Sequence, residues 1–150
     1  MIGDVIGKPG RQAVQKLLPG LRKQLKLDLV IANGENAAGG LGLTVSTAKE
    51  LLEAGVDVLT SGNHIWDQKD IIPQLDGDLP ILRPLNYPPG VPARGCLPFE
   101  NVAVINLIGR TFFVHNYDCP FRTIDNLLNG LKSKQSIIIV DFHAEATSEK

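Results

Sequence analysis

Residues 29–36, Leu-Val-Ile-Ala-Asn-Gly-Glu-Asn, constrain the fold more than any other stretch of the chain. The four apolar residues at its start read as a buried strand at the centre of a parallel sheet, covered on both faces. The strand breaks into a polar turn that carries one carboxylate and two amides. Ligand sites in open α/β sheets lie beyond the carboxyl ends of such strands. Glu35 occupies that place, and Asn33 and Asn36 flank it as oxygen donors.

The rest of the chain alternates in the same way. Residues 1–4 read as the last part of a strand. Apolar spacing over 11–18 predicts a helix with Pro9 near its start, interrupted at Pro19-Gly20 and followed by a second helical piece over 21–25. The stretch 37–42 is a loop of small residues. Thr44 or Ser46 caps a helix to about Glu53 that Gly55 ends. Residues 56–60 predict a strand, 67–75 a short helix containing Pro73, and 81–82 a weak strand. The proline-rich stretch 84–98 reads as an irregular loop. Residues 102–107 and 111–115 predict a hairpin joined at 108–110. Thr123 caps a helix to about Leu131, and 136–142 predict a last apolar strand. Alternation of strands and helices gives an α/β class with a layered sheet in one domain over 1–150.

Composition narrows the function. A net charge of -1 gives no general reason to expect a nucleic-acid-binding or membrane-surface protein. No apolar run is long enough to span a bilayer and no signal peptide is visible, so the chain reads as cytoplasmic with no membrane partner. Cys96 and Cys119 form no C-x-x-C pair. They are two free thiols or one disulfide, the former suiting a reducing cytosol. The segment Gly7-Lys8-Pro9-Gly10 lacks P-loop spacing, and the glycines at 39–42 do not follow a strand directly, so neither is a nucleotide fingerprint.

One pattern recurs at the strand ends. Asp4 closes the first, Asn33, Glu35 and Asn36 the second, Asn63 and His64 the third, and Asp141 and His143 the last. Carboxylates, amides and imidazoles meeting at one sheet edge suit one or two metal ions. Oxygen donors favour magnesium or manganese, and imidazole favours iron or zinc. Each residue also has an ordinary structural use: Asp4 as a cap, Asn33-Gly34 as a turn dipeptide, Glu35 as a solvated turn residue, Asn63-His64 as a strand-end turn, His143 as a core histidine.

Five motifs tip the balance. They are Gly3-Asp4-Val5-Ile6-Gly7-Lys8-Pro9-Gly10, Asn33-Gly34-Glu35-Asn36-Ala37-Ala38-Gly39-Gly40, Gly62-Asn63-His64-Ile65-Trp66-Asp67, Arg83-Pro84-Leu85-Asn86-Tyr87-Pro88, and the run from Asp141 through Phe142-His143-Ala144-Glu145 to Lys150. In this order they resemble successive motifs of the YmdB-like metallophosphoesterases, a branch of the calcineurin-like phosphoesterase superfamily.

The resemblance implies a layered α/β/β/α sandwich with a dinuclear iron or manganese centre that hydrolyses phosphodiesters, notably 2′,3′-cyclic nucleotides. It implies Asp4, Glu35 and Asn36 as ligands of one metal and Glu35, Asn63 and His143 as ligands of the other. It implies His64 as the general acid. The substrate would be a small nucleotide or other phosphodiester, RNA-derived in one reading, and the protein a homo-oligomer. The family's later Gly-Thr-His-x-His segment is absent, as is the start of the first strand. The expectation is therefore a fold incomplete at both ends, the N-terminal part of a hydrolase, weakly active or inactive by itself. A non-catalytic regulatory protein that keeps the fold and a phosphomonoesterase on the same centre are the alternatives.

Overall fold

The computed structural model describes residues 1–131 and 136–150. The chain divides into two compact units, Met1–Ile81 and Leu82–Lys150.

The first unit is built on a parallel sheet of β1 (Ile2–Asp4), β2 (Ile31–Asn33) and β3 (Val58–Thr60), with β2 in the middle. The register aligns Asp4 with Asn33 and Asn33 with Thr60, so the three strands end level with one another. Val30, Ile31 and Ala32 are buried, as their apolar run requires for a central strand. Helix α1 (Gly7–Leu25) buries Val14 and Leu18, and α2 (Val45–Glu53) buries Thr47, Ala48 and Leu51. Thr44 caps α2 in a reciprocal capping box: its hydroxyl accepts from Thr47 N–H, and Thr47 Oγ1 accepts from Thr44 N–H.

Three sequence expectations fail in this unit. The break expected at Pro19-Gly20 does not occur, because α1 runs through both residues. Pro19 lies on the exposed side, while Val14 and Leu18 hold one face. On the far side of the proline the Arg22 guanidinium bonds Gly55 O at 2.6 Å and Asp57 at 2.8 Å, and Asp57 in turn accepts Val30 N–H. Tertiary anchors on both sides therefore outweigh the hydrogen bond that proline removes. The helix expected over 67–75 is reduced to a 3-10 turn at Ile72–Gln74, with Pro73 in its first positions. The strand expected at 81–82 is only a pair of isolated bridges, Ile81 to Leu59 in this unit and Leu82 to Arg94 in the other.

The second unit holds a mixed sheet of β4 (Cys96–Phe99), β5 (Val102–Ile108) and β6 (Ile137–His143), with β5 central. Residues 96–98 fall in the expected irregular loop, and instead belong to a strand over 96–99 that pairs antiparallel with β5. The hairpin expected between 102–107 and 111–115 is absent, since β5 takes β4 on one side and a seven-residue parallel ladder with β6 on the other. With both edges of β5 used, 111–115 has no ladder to join. That segment is instead pinned by Glu149, whose carboxylate accepts the N–H groups of Arg110 and Thr111 at 2.9 to 3.0 Å. An added Cβ on Gly109 would lie 2.5 Å from Glu149 Oε2, so glycine there permits the approach. Helix α3 (Pro120–Leu131) begins before Thr123, with proline in its first turn.

The α/β class expected from the alternation is the one found, with two sheets and three helices among the described residues. Strand β6 is an edge strand and leaves Ile137, Ile138 and Val140 exposed. Leu17, Leu21 and Leu25 are likewise exposed along α1. Both cysteines are free thiols. Among the described residues no helix is long and apolar enough to cross a membrane.

Candidate metal centre

The level strand ends of the first unit assemble a polar cluster. The turn after β2 is closed by Asn33, whose side-chain oxygen accepts Glu35 N–H at 3.1 Å. This Asx-type turn aims the Glu35 side chain back across the sheet end. Asn33 therefore spends its amide oxygen on the turn. Gly34 N–H bonds Thr60 O at 3.0 Å, and an added Cβ there would meet Leu59 at 3.3 Å, so the turn sits tight against β3.

Glu35 is 2% exposed. A buried carboxylate is costly unless it is hydrogen-bonded or coordinates a cation. Its Oε2 accepts the backbone N–H of His64 at 3.3 Å, which ties the end of β2 to the segment after β3. That segment opens with the 3-10 turn Asn63–Trp66, and Ile65 is its buried anchor. On the other flank Asn36 Nδ2 donates to Asp4 Oδ2 at 2.7 Å. The backbone reinforces this link, with Val5 N–H to Asn33 O and Gly7 N–H to Asn36 O, each 2.9 Å.

Asn36 leaves one group over. Its Oδ1 is buried without a hydrogen-bond partner among the described residues. A buried amide oxygen facing no donor is a destabilising arrangement in a protein that binds nothing. Beside the carboxylate of Asp4 it is a ready ligand for a hard cation, which takes carboxylate and amide oxygens together. The donor set of Asp4, Glu35, Asn36 and Asn63 thus fits a metal by its chemistry. It is half amide, and among the described residues no three His, Cys, Asp or Glu side chains cluster as a metal site.

The sequence-predicted residues are therefore distributed as follows. Asp4, Glu35, Asn36, Asn63 and His64 all stand at the carboxyl edge of the β1–β2–β3 sheet. His143 closes β6 in the second unit, paired in register with Ile108, its ring 5.8 Å from that of Phe113. Asp141 is level with Asn106 on the same ladder.

One neighbour of the cluster, Asp67, escaped the sequence reading, and so did the roles of two residues of the second unit, Arg83 and Asn86. Asp67 reaches His64, with Oδ2 at 2.7 Å from the imidazole Nδ1. Spacing of three residues across a 3-10 turn is the signal that would have found it, since residues i and i+3 eclipse there. Arg83 and Asn86 belong to the fourth motif and act as braces. The Arg83 guanidinium bonds the carbonyls of Pro84, Leu85, Val91 and Pro92. The Asn86 amide bonds both the N–H and the C=O of Ile108 and the carbonyl of Asp118.

Known proteins resemble this chain over its whole length. The chain is 44% identical over 153 residues to the 2′,3′-cyclic-nucleotide 2′-phosphodiesterase of Bacillus subtilis, covering 99% of this chain and 58% of that protein. It is 37% identical to a putative phosphatase/phosphodiesterase of Mycoplasma pneumoniae, covering 99% of this chain and 56% of that one. Among solved structures, a hypothetical protein from Thermus thermophilus superposes with a TM-score of 0.90 at 46% identity, over 99% of this chain and 58% of that chain. A novel phosphatase from Mycoplasma pneumoniae superposes with a TM-score of 0.87 at 35% identity, over 99% of this chain and 55% of that chain. The chain thus spans somewhat over half the length of these relatives. The YmdB-like protein family matches residues 1–150, and the chain belongs to it.

Proposed function

We propose that this chain carries the metal-binding edge of a phosphodiesterase that hydrolyses small phosphodiesters, 2′,3′-cyclic nucleotides and RNA-derived ends among them. The observation that carries this reading is the pairing of Asp4 with Asn36, whose second amide atom is buried and unmatched, beside the buried Glu35. The name of the Bacillus subtilis relative, a cyclic-nucleotide phosphodiesterase, supports the substrate class. In this reading Asp4, Glu35 and Asn36 would hold one metal and Glu35 and Asn63 would help to hold the other, His143 of the second unit being the further ligand that the family resemblance implies. Manganese or iron suits a set that mixes oxygen donors with imidazole, and magnesium or zinc would be alternatives. Such a pair, when bound, neutralises phosphate charge and supplies an activated water.

The chain's own residues do the remaining work. Glu35 is fixed at the centre by burial and by the His64 N–H, so it can serve both positions without moving. His64 follows Asn63 directly, at the same carboxyl edge of the sheet as the proposed metal-binding residues. As the P–O bond to the leaving ribose oxygen breaks, His64 would give that oxygen a proton, while the attacking water would form the new P–O bond and release a proton to solvent, from which His64 is reprotonated. A phosphomonoesterase on the same centre is the second reading, favoured by the phosphatase from Mycoplasma pneumoniae. Self-association into a homo-oligomer is the proposed state in solution, checked by light scattering.

The test compares turnover of 2′,3′-cyclic AMP with that of a phosphomonoester, with manganese and after chelation. The expected result is weak diester hydrolysis that chelation abolishes and manganese restores. Faster turnover of the monoester would favour the second reading, and hydrolysis indifferent to chelation would overturn both.

A further inference from the structure

We infer that the cavity between the end of β5 and the start of α3 binds a small phosphomonoester, held by the guanidinium groups of Arg110 and Arg122. The cavity has a volume of about 400 Å³, and its lining comes wholly from the second unit. That size falls in the range of small-molecule sites, roughly 300–1,000 Å³. Arg11 and Arg22 spend their charge on Glu50 and Asp57, and Arg83 bonds backbone carbonyls. Arg110 and Arg122 are exposed and form no ion pair among the described residues. Two uncommitted guanidinium groups on one cavity offer forked N–H donors that match phosphate oxygens. Asp118 is the one carboxylate on the lining, and it leaves the cavity a net positive charge. A doubly charged phosphate can meet both guanidinium groups, and a neutral nucleoside answers neither.

The backbone around the cavity is fixed on both sides. Arg110 N–H is held by the Glu149 carboxylate at 2.9 to 3.0 Å. Asp118 N–H bonds Asn86 O, and Asp118 O accepts from Asn86 Nδ2, each at 2.9 Å. Tyr117, 5% exposed, forms one wall, its ring edge-on to that of Tyr87 at 4.9 Å. The N-terminus of α3 is already in use and is not what makes the site. Thr123 N–H bonds Cys119 O at 3.0 Å, and the N–H groups of Arg122 and Phe121 turn to the Cys119 thiol. That thiol reports the field of the cavity. The Arg122 N–H first, then the Phe121 N–H and the charges of Arg122 and Arg110, hold it below its ordinary value against the desolvation that raises it. Both guanidinium groups therefore act on one point of the lining.

The test titrates 3′-AMP, inorganic phosphate and adenosine into the chelator-treated chain by calorimetry. The forms compared are wild type, Arg110→Gln, Arg122→Gln and Glu35→Gln. 3′-AMP should bind saturably, and adenosine should not. Each arginine variant should weaken 3′-AMP at least about tenfold, the usual worth of a charge-assisted hydrogen bond. Glu35→Gln should bind 3′-AMP like the wild type. Absent binding, or binding indifferent to either arginine substitution, overturns the inference. Weakening by Glu35→Gln alone places the nucleotide with the metal-binding residues and overturns it too. Inorganic phosphate bound as tightly as 3′-AMP overturns the ester as ligand in favour of free phosphate. Alkylation by iodoacetamide, followed on the Cys119 peptide by mass spectrometry, gives a second readout. A phosphate in the cavity offsets the guanidinium charge beside the thiol, so saturating 3′-AMP should slow alkylation of Cys119 and leave that of Cys96 unchanged. An unchanged rate at Cys119 overturns the inference.

Discussion

Asn36 donates its amide N–H to Asp4 at 2.7 Å and keeps its other amide atom, Oδ1, buried with no partner among the described residues. The pair is therefore complete on one side and open on the other. Replacing Asn36 by aspartate would set two carboxylates against each other at the spacing of the present hydrogen bond. Like charges so close disfavour ionisation of both. Asn36→Asp should lower Tm in chelator, and manganese should raise its Tm by more than it raises that of the wild type. Thermal melts with and without manganese check this, and equal shifts in the two proteins would remove Asn36 from the site.

Glu149 makes a pH prediction. Burial opposes ionisation of its carboxyl, but the backbone N–H groups of Arg110 and Thr111 outweigh it and hold the group below its ordinary value of 4.5. A carboxyl lowered on folding stabilises the native state above the unfolded value, and the contribution disappears as pH falls through the folded one. Glu149→Gln should therefore lower Tm at pH 7 and flatten its decline below about pH 4.5. Melts from pH 3 to 7 test it, and parallel curves for the two proteins would contradict it.

Asn86 tests the brace. It is 1% exposed and bonds both polar groups of Ile108 and the carbonyl of Asp118. Asn86→Ala strands buried backbone groups in the second unit, each worth roughly 1–3 kcal/mol, so a total loss on the order of 3 kcal/mol is expected from urea unfolding. Unaltered stability would mean that water replaces the lost bonds.

The sequence was most legible where apolar runs met polar turns. The run before Asn33 specified a central buried strand, and the strand-end rule placed Asp4, Glu35, Asn36, Asn63 and His64 at one sheet edge; it placed Asp141 and His143 on that edge as well, but they lie on β6 of the second sheet. Thr44 was legible as a cap because its hydroxyl has a local partner three residues on. Features set by long-range contacts were not legible. Pro19 stays inside α1 only because Val14, Leu18 and Arg22 find partners elsewhere in the first unit. Residues 96–99 form a strand because β5 offers an edge, and nothing in a proline-rich stretch announces that. Arg83 and Asn86 stand in a motif that resembles the family, yet their bonds go to backbone carbonyls and amides, a use that residue type alone does not reveal. Asp67 was missed because its partner is defined by a 3-10 turn where a longer helix was expected to begin.

Glu35 carries the central claim, since it alone is proposed to serve both metal positions. Calorimetric titration of manganese into the wild type and into Glu35→Gln tests that most directly, because glutamine keeps the shape and removes the charge. The predicted result is saturable binding to the wild type, weakened at least about tenfold in the variant, since even losing an outer-shell partner of a ligand costs that much. Manganese binding of equal affinity in both proteins would show that the cluster at the end of β2 is not a metal centre.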